Sequence, residues 1–107
     1  MTRDQLTKMT KLEVVVPGAA APGVRALFHT IGATGFTSVS GVSGLGHHGY
    51  HQGRLLFNEQ ATLELLITVV PDDKVEALLA GLRPLLQASS GVMFLSDTFV
   101  SRPEYFT

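Results

Sequence analysis

The stretch LELLITVVPDDKV, residues Leu63–Val75, contains the strand-to-helix junction on which the fold prediction depends most. Its first part is mostly apolar and rich in β-branched side chains, which predicts a buried strand. Pro71 ends this strand, and Asp72 is expected to cap the helix that follows. The apolar stripe of that helix, at helical spacing, consists of Val75, Leu78, Leu79, Leu82 and Leu86. The stretch therefore predicts a strand followed by an amphipathic helix.

The first half of the chain repeats this order with different residues. The run KLEVVV, Lys11–Val16, predicts another buried strand for the same reason. The stripe of the next helix consists of Val24, Leu27, Phe28 and Ile31. Gly32 stands where a glycine commonly ends a helix. Two further strands are predicted over TGFTSVSGV, Thr34–Val42, and VMFLSDT, Val92–Thr98.

The chain thus consists of one β-α-β unit followed by a second. Two such halves with right-handed crossovers predict an α+β fold, the ferredoxin-like split βαβ (βαββαβ) sandwich. The first and third strands are the most apolar, as expected of the two central strands. Two helices can cover only one face of four strands, yet both central strands are apolar at positions that point to either face. We therefore expect a cyclic oligomer that buries the second face.

Length and composition limit the possible classes of protein. The 107 residues predict one domain, with a polar, flexible leader at 1–10, the domain at 11–100 and a tail at 101–107. The net charge of −1 provides no basic surface for nucleic acid. No apolar stretch reaches the ~18 residues that cross a bilayer, so membrane insertion is not expected. The absence of cysteine fits a reducing compartment, and we expect a cytoplasmic protein.

The candidates for catalysis have simpler structural explanations. Asp72 and Asp73 could pair for acid–base chemistry, but their place at a helix start favours capping and interaction with the helix dipole. The serines have no partnered histidine and aspartate in a recognisable arrangement. Neither a P-loop nor a dinucleotide motif is present. We therefore expect that the protein is not an enzyme.

The segment GLGHHGYHQGR, Gly44–Arg54, combines glycines with three of the four histidines. One interpretation is a solvated loop in which histidine is simply a tolerated polar residue. A second is a metal site formed by His47, His48 and His51, because neutral imidazoles on a pliable loop can converge on zinc, copper or nickel. A third is an anion site, in which backbone N–H groups act together with His47, His48 and Arg54. The residues alone leave all three open.

Four stretches together resemble the PII signalling proteins, trimeric ferredoxin-like regulators that bind adenine nucleotides between subunits. GATGFT, Gly32–Thr37, is similar to the helix–strand junction whose glycine–aromatic–threonine triplet contacts adenine. VSGLGHH, Val42–His48, is similar to the start of the family's long T-loop. ITVVPDDKV, Ile67–Val75, resembles the third strand and the next helix, and GVMFLSD, Gly91–Asp97, resembles the strand after the B-loop that holds the nucleotide.

This resemblance implies a cyclic homotrimer with a T-loop-like segment at residues 44–61. It also implies which residues bind the nucleotide. Gly35, Phe36 and Thr37 are expected to hold the adenine, with Val15 and Val69 as an apolar wall. The remaining nucleotide-binding residues are expected to be Gly44, Gly46 and His47 in the T-loop-like segment, Ser89, Ser90, Gly91 and Val92 at the phosphates, and Arg102 in the tail.

Several of these residues also have a purely structural explanation. An aromatic residue on a strand, such as Phe36, is as often part of the core. Ser89 and Ser90 fit an ordinary helix-to-strand turn. Arg102 fits a solvated tail, and only the resemblance favours a function for it.

Departures from the family pattern change the expected ligands. His47 and His48 replace an arginine–glutamine pair of the family, and Val92 stands where the family has a phosphate-binding lysine. Each lost charge-assisted contact to a phosphate costs about 1.5–3 kcal/mol. We therefore expect ADP or AMP, as ligands rather than cofactors, to bind more tightly than ATP.

The departures resemble the PII-like branch associated with bicarbonate transport and carboxysomes. This implies bicarbonate as a second ligand, a small planar anion suited to backbone N–H groups and to His47, His48 and Arg54. It also implies a protein partner, a transporter or a carboxysome-related protein, that responds to a change of the T-loop-like segment. Two alternatives are a metal-binding trimer of the copper-tolerance type that uses His47, His48 and His51, and a structural adaptor that binds neither ligand.

Overall fold

A four-stranded antiparallel sheet forms the centre of the molecule, in a computed structural model that describes residues 1–42, 44–46, 49–51 and 62–107. Its strands are β1 (Thr7–Pro17), β2 (Thr37–Val42), β5 (Leu63–Val70) and β6 (Val92–Val100), in the spatial order β2-β5-β1-β6. A separate two-stranded ribbon consists of β3 (Gly44–Gly46) and β4 (Gly49–His51). The predicted ferredoxin-like fold, with β1 and β5 in the centre of the sheet, is confirmed.

Two helices, α1 (Ala21–Ile31) and α2 (Val75–Gln87), pack on one face of this sheet. As predicted, α1 ends at Gly32, whose φ of 86° is the left-handed conformation that favours glycine. The Lys74 ammonium, just before α2, donates a 2.6 Å hydrogen bond to the Gly32 carbonyl oxygen and so joins the two helix ends. No helix in the described part of the chain is long and apolar enough to span a bilayer.

Alternate residues of β1 and β5 form the core together with the apolar stripes of both helices. The core residues are Leu12, Val14, Val16, Ala21, Val24, Phe28, Leu66, Val70, Leu78 and Leu82. The helices approach each other closely at Gly81 of α2, where a Cβ atom would overlap the side chain of Leu27. Glycine, which weakens a helix in isolation, here allows the close approach, and a larger residue would require the Leu27 side chain to shift.

The opposite face of the sheet, which we call the open face, is largely apolar but also carries Lys11 and Glu13 of β1. One row across it consists of Val39, Leu65, Val15 and Val92, which are neighbours in the strand register. The next row consists of Thr37, Ile67, Glu13 and Phe94. Val92 is 50% exposed and Phe94 is 58% exposed, so this face remains accessible in a single protomer.

The strand bounds differ from those expected from the sequence. β1 begins at Thr7 instead of Lys11, and Thr7 pairs with Val100 at the end of β6. Thr7–Thr10, predicted to be part of the flexible leader, therefore belong to the sheet. β2 begins at Thr37 instead of Thr34. Strand ends depend on a pairing partner that is distant in sequence, so local patterns place them poorly.

The prediction that Asp72 caps the next helix is wrong. A 3₁₀ turn, Asp72–Lys74, precedes α2, and neither element has a side-chain cap. The Asp72 carboxylate instead accepts hydrogen bonds of 2.8 Å from the Lys8 ammonium and 2.8 Å from the Thr10 hydroxyl, both on β1. The hydrogen bond from Lys8, and to a smaller extent that from Thr10, lowers the pKa of Asp72. The hydrogen bond to the Asp72 carboxylate in turn raises the pKa of Lys8. Asp72 thus ties β1 to the start of α2.

Candidate functional site

The predicted adenine triplet lies between α1 and β2, at one end of the open face. The carbonyl oxygen of Gly35 accepts a 2.7 Å hydrogen bond from the hydroxyl of Thr68, a buried residue of β5. Thr37 begins β2 opposite Ile67, and Val69 is the next residue of β5 on the same face. The fold therefore brings Gly35, Thr37 and Val69 close together.

Phe36 is directed to the other side of the sheet from Thr37. Its ring centre lies 6.0 Å from that of Phe28, a core residue of α1, at an interplanar angle of 54°. This tilted contact is typical of packed aromatic pairs. Phe36 is nevertheless 43% exposed. The ring therefore lies at the edge of the core, with part of its surface left open to solvent.

The C-terminal tail brings Arg102 to the same end of the sheet. β6 ends at one edge of the sheet, whereas the Thr34 hydroxyl, just before the opposite edge strand, donates a 2.6 Å hydrogen bond to the Tyr105 carbonyl oxygen. The tail therefore crosses the end of the sheet from edge to edge. The Arg102 guanidinium donates a 2.9 Å hydrogen bond to the Tyr105 hydroxyl and lies 5.4 Å from the centre of its ring.

The predicted phosphate-binding turn, Ser89–Val92, connects α2 to β6 at the opposite end of the sheet. The Ser89 hydroxyl donates a 3.1 Å hydrogen bond to the Leu85 carbonyl oxygen and accepts one of 3.1 Å from the Gly91 N–H. The Gly91 N–H, expected to face a phosphate, is thus engaged inside the turn. The Ser90 N–H forms no hydrogen bond with another described residue and remains available as a donor.

Two glycines of the predicted site have different structural requirements. A Cβ atom at Gly91 would lie 2.7 Å from Val16 and 2.8 Å from Leu86, so packing alone explains that glycine. A Cβ atom at Gly35 would meet nothing within 4 Å, and the φ of Gly35 is not in the left-handed region. Neither packing nor backbone conformation requires glycine at position 35.

The predicted residues form two groups at opposite ends of the open face. Val15, which the resemblance assigns together with Val69 to an apolar wall, lies beside Val92 at the phosphate turn. Val69 lies beside Lys11, and Lys11 and Val15 are about 13 Å apart along β1. One protomer therefore assembles an adenine group and a phosphate group but does not bring the two together.

Much of the predicted anion or metal segment lies outside the described residues. This part includes His47, His48 and Arg54. Gly44, Gly46 and His51 belong to the paired strands β3 and β4. The solvated-loop, metal and anion interpretations of this segment all stay predictions.

Comparison with known protein families tests the resemblance found in the motifs. The sequence model of the family described as nitrogen regulatory protein P-II matches residues 9–105, almost the whole chain. The chain belongs to the P-II family. The family expected from four short motifs is thereby confirmed. Among curated protein sequences, none matches this P-II protein significantly.

Solved structures of CPII, a nitrogen regulatory PII-like protein from Thiomonas intermedia K12, are similar to this P-II protein along almost its whole length. CPII bound to ADP, AMP and bicarbonate is 40% identical, with a TM-score of 0.88, over 94% of this chain and 95% of the CPII chain. CPII bound to ADP and bicarbonate is 36% identical, with a TM-score of 0.86, over 95% and 97% of the two chains. CPII bound to ADP, AMP and acetate is 37% identical, with a TM-score of 0.79, over 94% and 96%.

The sequence did not indicate the residues that hold the adenine group in place. Thr68 is 33 residues from Gly35, and Thr34 is 71 residues from Tyr105. No local pattern reports hydrogen bonds between residues so far apart in the chain. The one available signal was Thr68 itself, a hydroxyl residue in an otherwise apolar part of β5.

Proposed function

We propose that this protein is a cytoplasmic PII-like regulator, not an enzyme, that binds ADP or AMP more tightly than ATP. The observation that carries the proposal is its 40% identity, over 94% of the chain, to CPII bound to ADP, AMP and bicarbonate. Ligand binding changes the T-loop-like segment, residues 44–61, and so alters contact with a protein partner. The expected partner is a transporter or a carboxysome-related protein of inorganic carbon or nitrogen metabolism.

The open face supports assembly into a cyclic homotrimer. Val92 and Phe94 are at least half exposed in one protomer, and burial of apolar surface contributes about 25 cal/mol per Å². Association of three copies through this face removes it from water. It also allows the phosphate turn of one protomer to face the adenine group of its neighbour. The separation of the two groups within one protomer favours a site shared between subunits.

The distribution of donors at the phosphate turn supports a preference for few phosphates. Val92 supplies no charge, and the Gly91 N–H is already bound to Ser89. The Ser90 N–H of one protomer and the Arg102 guanidinium of its neighbour remain as donors to phosphate. Each charge-assisted contact contributes about 1.5–3 kcal/mol, so a site with one such cation favours AMP or ADP over the more highly charged ATP.

Bicarbonate is the proposed second ligand. It is bound in three of the similar CPII structures, and acetate, another small carboxylate anion, is bound in a fourth. In this chain the candidate donors are His47, His48 and Arg54, which belong to the T-loop-like segment. Binding there links an anion directly to the segment proposed to contact the partner.

Isothermal titration calorimetry on the full-length protein tests the proposed ligands. We expect saturable heats with ADP and AMP, a weaker affinity for ATP, and an ADP affinity that changes when bicarbonate replaces chloride. Zinc is titrated into the same sample. Zinc binding that is lost in a His47→Ala/His48→Ala variant, without any nucleotide heat, would establish the metal-binding alternative instead. Binding of neither ligand would favour a structural adaptor.

A lysine at position 92 tests the location of the phosphates. Val92 begins β6 directly at the phosphate turn, so Val92→Lys places a cation beside the proposed phosphates, and we expect its affinity for ATP to rise relative to AMP. Val92→Met, which is long but uncharged, is the matched control and should leave the ratio unchanged. An unchanged ratio in both variants means that the phosphates bind elsewhere.

A further inference from the structure

Arg102 is an exposed cation whose side chain is nevertheless restrained. It forms no ion pair with a described carboxylate, so its charge is available to an anion. A free arginine side chain loses considerable rotamer entropy when a ligand immobilises it. A contact that already fixes the guanidinium in the free protein reduces this loss and strengthens ligand binding.

Tyr105 provides that contact. Its hydroxyl oxygen accepts the 2.9 Å hydrogen bond from Arg102, and its ring lies within the range in which a guanidinium is attracted to an aromatic ring. Tyr105 is 60% exposed, so its ring contributes little to the core. Arg83 of α2 is a useful contrast, because this exposed arginine forms no hydrogen bond or ion pair with another described residue.

Thr34 fixes the other end of this arrangement. Its hydroxyl donates the 2.6 Å hydrogen bond to the Tyr105 carbonyl oxygen, and Thr34 immediately precedes Gly35 of the adenine group. A continuous series of contacts therefore leads from the adenine group through Thr34 and Tyr105 to Arg102. The tail cannot leave the end of the sheet without breaking this series of contacts.

We propose that Tyr105 and Thr34 are positioning residues that hold the Arg102 guanidinium beside the adenine group, where it binds a phosphate of the nucleotide. The inference rests on the proposed function and assigns roles to two residues that have none in it. Tyr105 orients the cation, and Thr34 keeps Tyr105 in place. Neither residue needs to touch the nucleotide.

A double-mutant cycle on ADP affinity tests whether Tyr105 acts through Arg102. We expect Arg102→Gln to weaken ADP binding about tenfold or more. Tyr105→Phe keeps the ring but removes the hydroxyl, and we expect a loss of about 2- to 10-fold. The double variant should bind ADP within about twofold of Arg102→Gln alone, because an unoriented glutamine gains nothing from Tyr105. Arg83→Gln is the control and should leave the affinity unchanged.

The outcomes separate this inference from the proposed function. If the wild-type protein binds no ADP, the proposed function fails and the inference fails with it. If the wild type binds ADP but the two losses are additive, Tyr105 does not act through Arg102 and the inference alone is overturned. A purely structural role for Tyr105 would lower the melting temperature and weaken ADP binding independently of residue 102.

Thr34 gives a second test that does not depend on changing Tyr105. Thr34→Val removes the hydroxyl at nearly constant shape, and we expect a loss of ADP affinity similar to that of Tyr105→Phe. Thr34→Ser retains the hydroxyl and should bind ADP as the wild type does. Hydrogen exchange of the tail amides should be faster in Thr34→Val and unchanged in Thr34→Ser. Equal affinities for all three proteins would overturn the role of Thr34.

Discussion

The two faces of one sheet are built from alternating residues of the same strands, yet only one face is fully buried within a protomer. On the helix side, Leu12, Val14 and Leu66 are fully buried beneath α1 and α2. On the open face, Leu65 and Ile67 of the same strand remain half-buried, and Phe94 is mostly exposed. The helix side determines the fold of the protomer, whereas the apolar side chains of the open face are buried only when another molecule covers them.

This difference also locates the candidate site. Thr37, Val69 and the phosphate-turn residue Val92 belong to the open face or its ends, whereas the residues that hold the protomer together do not. Changes on the helix side are therefore expected to act on folding. Changes on the open face are expected to act on assembly and, through it, on ligand binding.

The largest effect is expected from a charge on the open face. Phe94→Asp would place an unpaired carboxylate in the proposed subunit interface, which costs several kcal/mol for each copy. We expect sedimentation velocity to show monomers in place of trimers, and calorimetry to show loss of ADP binding. Ala26→Asp, on the exposed side of α1, is the control and should still assemble. A Phe94→Asp protein that remains trimeric would show that the open face is not the interface.

A smaller effect is expected from a cavity on the helix side. Leu66→Ala should lower the free energy of unfolding by about 2–5 kcal/mol, because Leu66 is fully buried. Chemical denaturation should give the same difference from wild type at every protein concentration. Leu65→Ala, its neighbour on the open face, should instead show a concentration-dependent difference, since it acts through assembly. Identical behaviour of the two variants would remove the distinction between the faces.

The smallest effect is expected from Asp72, which ties β1 to α2 on the helix side. Both members of its ion pair with Lys8 are about half exposed (45% and 56% for the side chains of Lys8 and Asp72), so its contribution is modest. Because folding lowers the pKa of Asp72, the stabilisation is present above the unfolded pKa and is lost as the pH falls through the folded pKa. The raised pKa of Lys8 preserves its charge, and so the pair, as the pH rises into the alkaline range.

Denaturation of Asp72→Asn at pH 7 and at a pH below the folded pKa of Asp72 checks the direction of this pH dependence. We expect the variant to be less stable than the wild type at pH 7 and equally stable once the pH is below the folded pKa of Asp72. Asp73→Asn, next to it but without an ion pair among the described residues, should match the wild type at both. A difference between Asp72→Asn and wild type that persists in acid would exclude the ion pair as its cause.

The parts of the site that were predictable are those that depend on short motifs. The turn Ser89–Gly91 was placed on the correct connection, because helix and strand periodicity fixes where connections fall. Gly35 and Phe36 were assigned to the second strand, which begins only at Thr37 in the structure. The position of Val15 and the engagement of the Gly91 N–H were not predictable. They follow from strand register and from side-chain hydrogen bonds inside a turn, and neither leaves a periodic signal.

The amino-acid sequence alone predicts the order of strands and helices, the central place of β1 and β5, and the presence of two largely apolar faces. These properties follow from the local alternation and spacing of apolar residues. Three features emerge only from the folded structure: Asp72 binds β1 instead of capping a helix, Val15 lies at the phosphate turn, and Thr34 holds the tail. Each of these depends on contacts between residues far apart in the chain, which packing and register fix together.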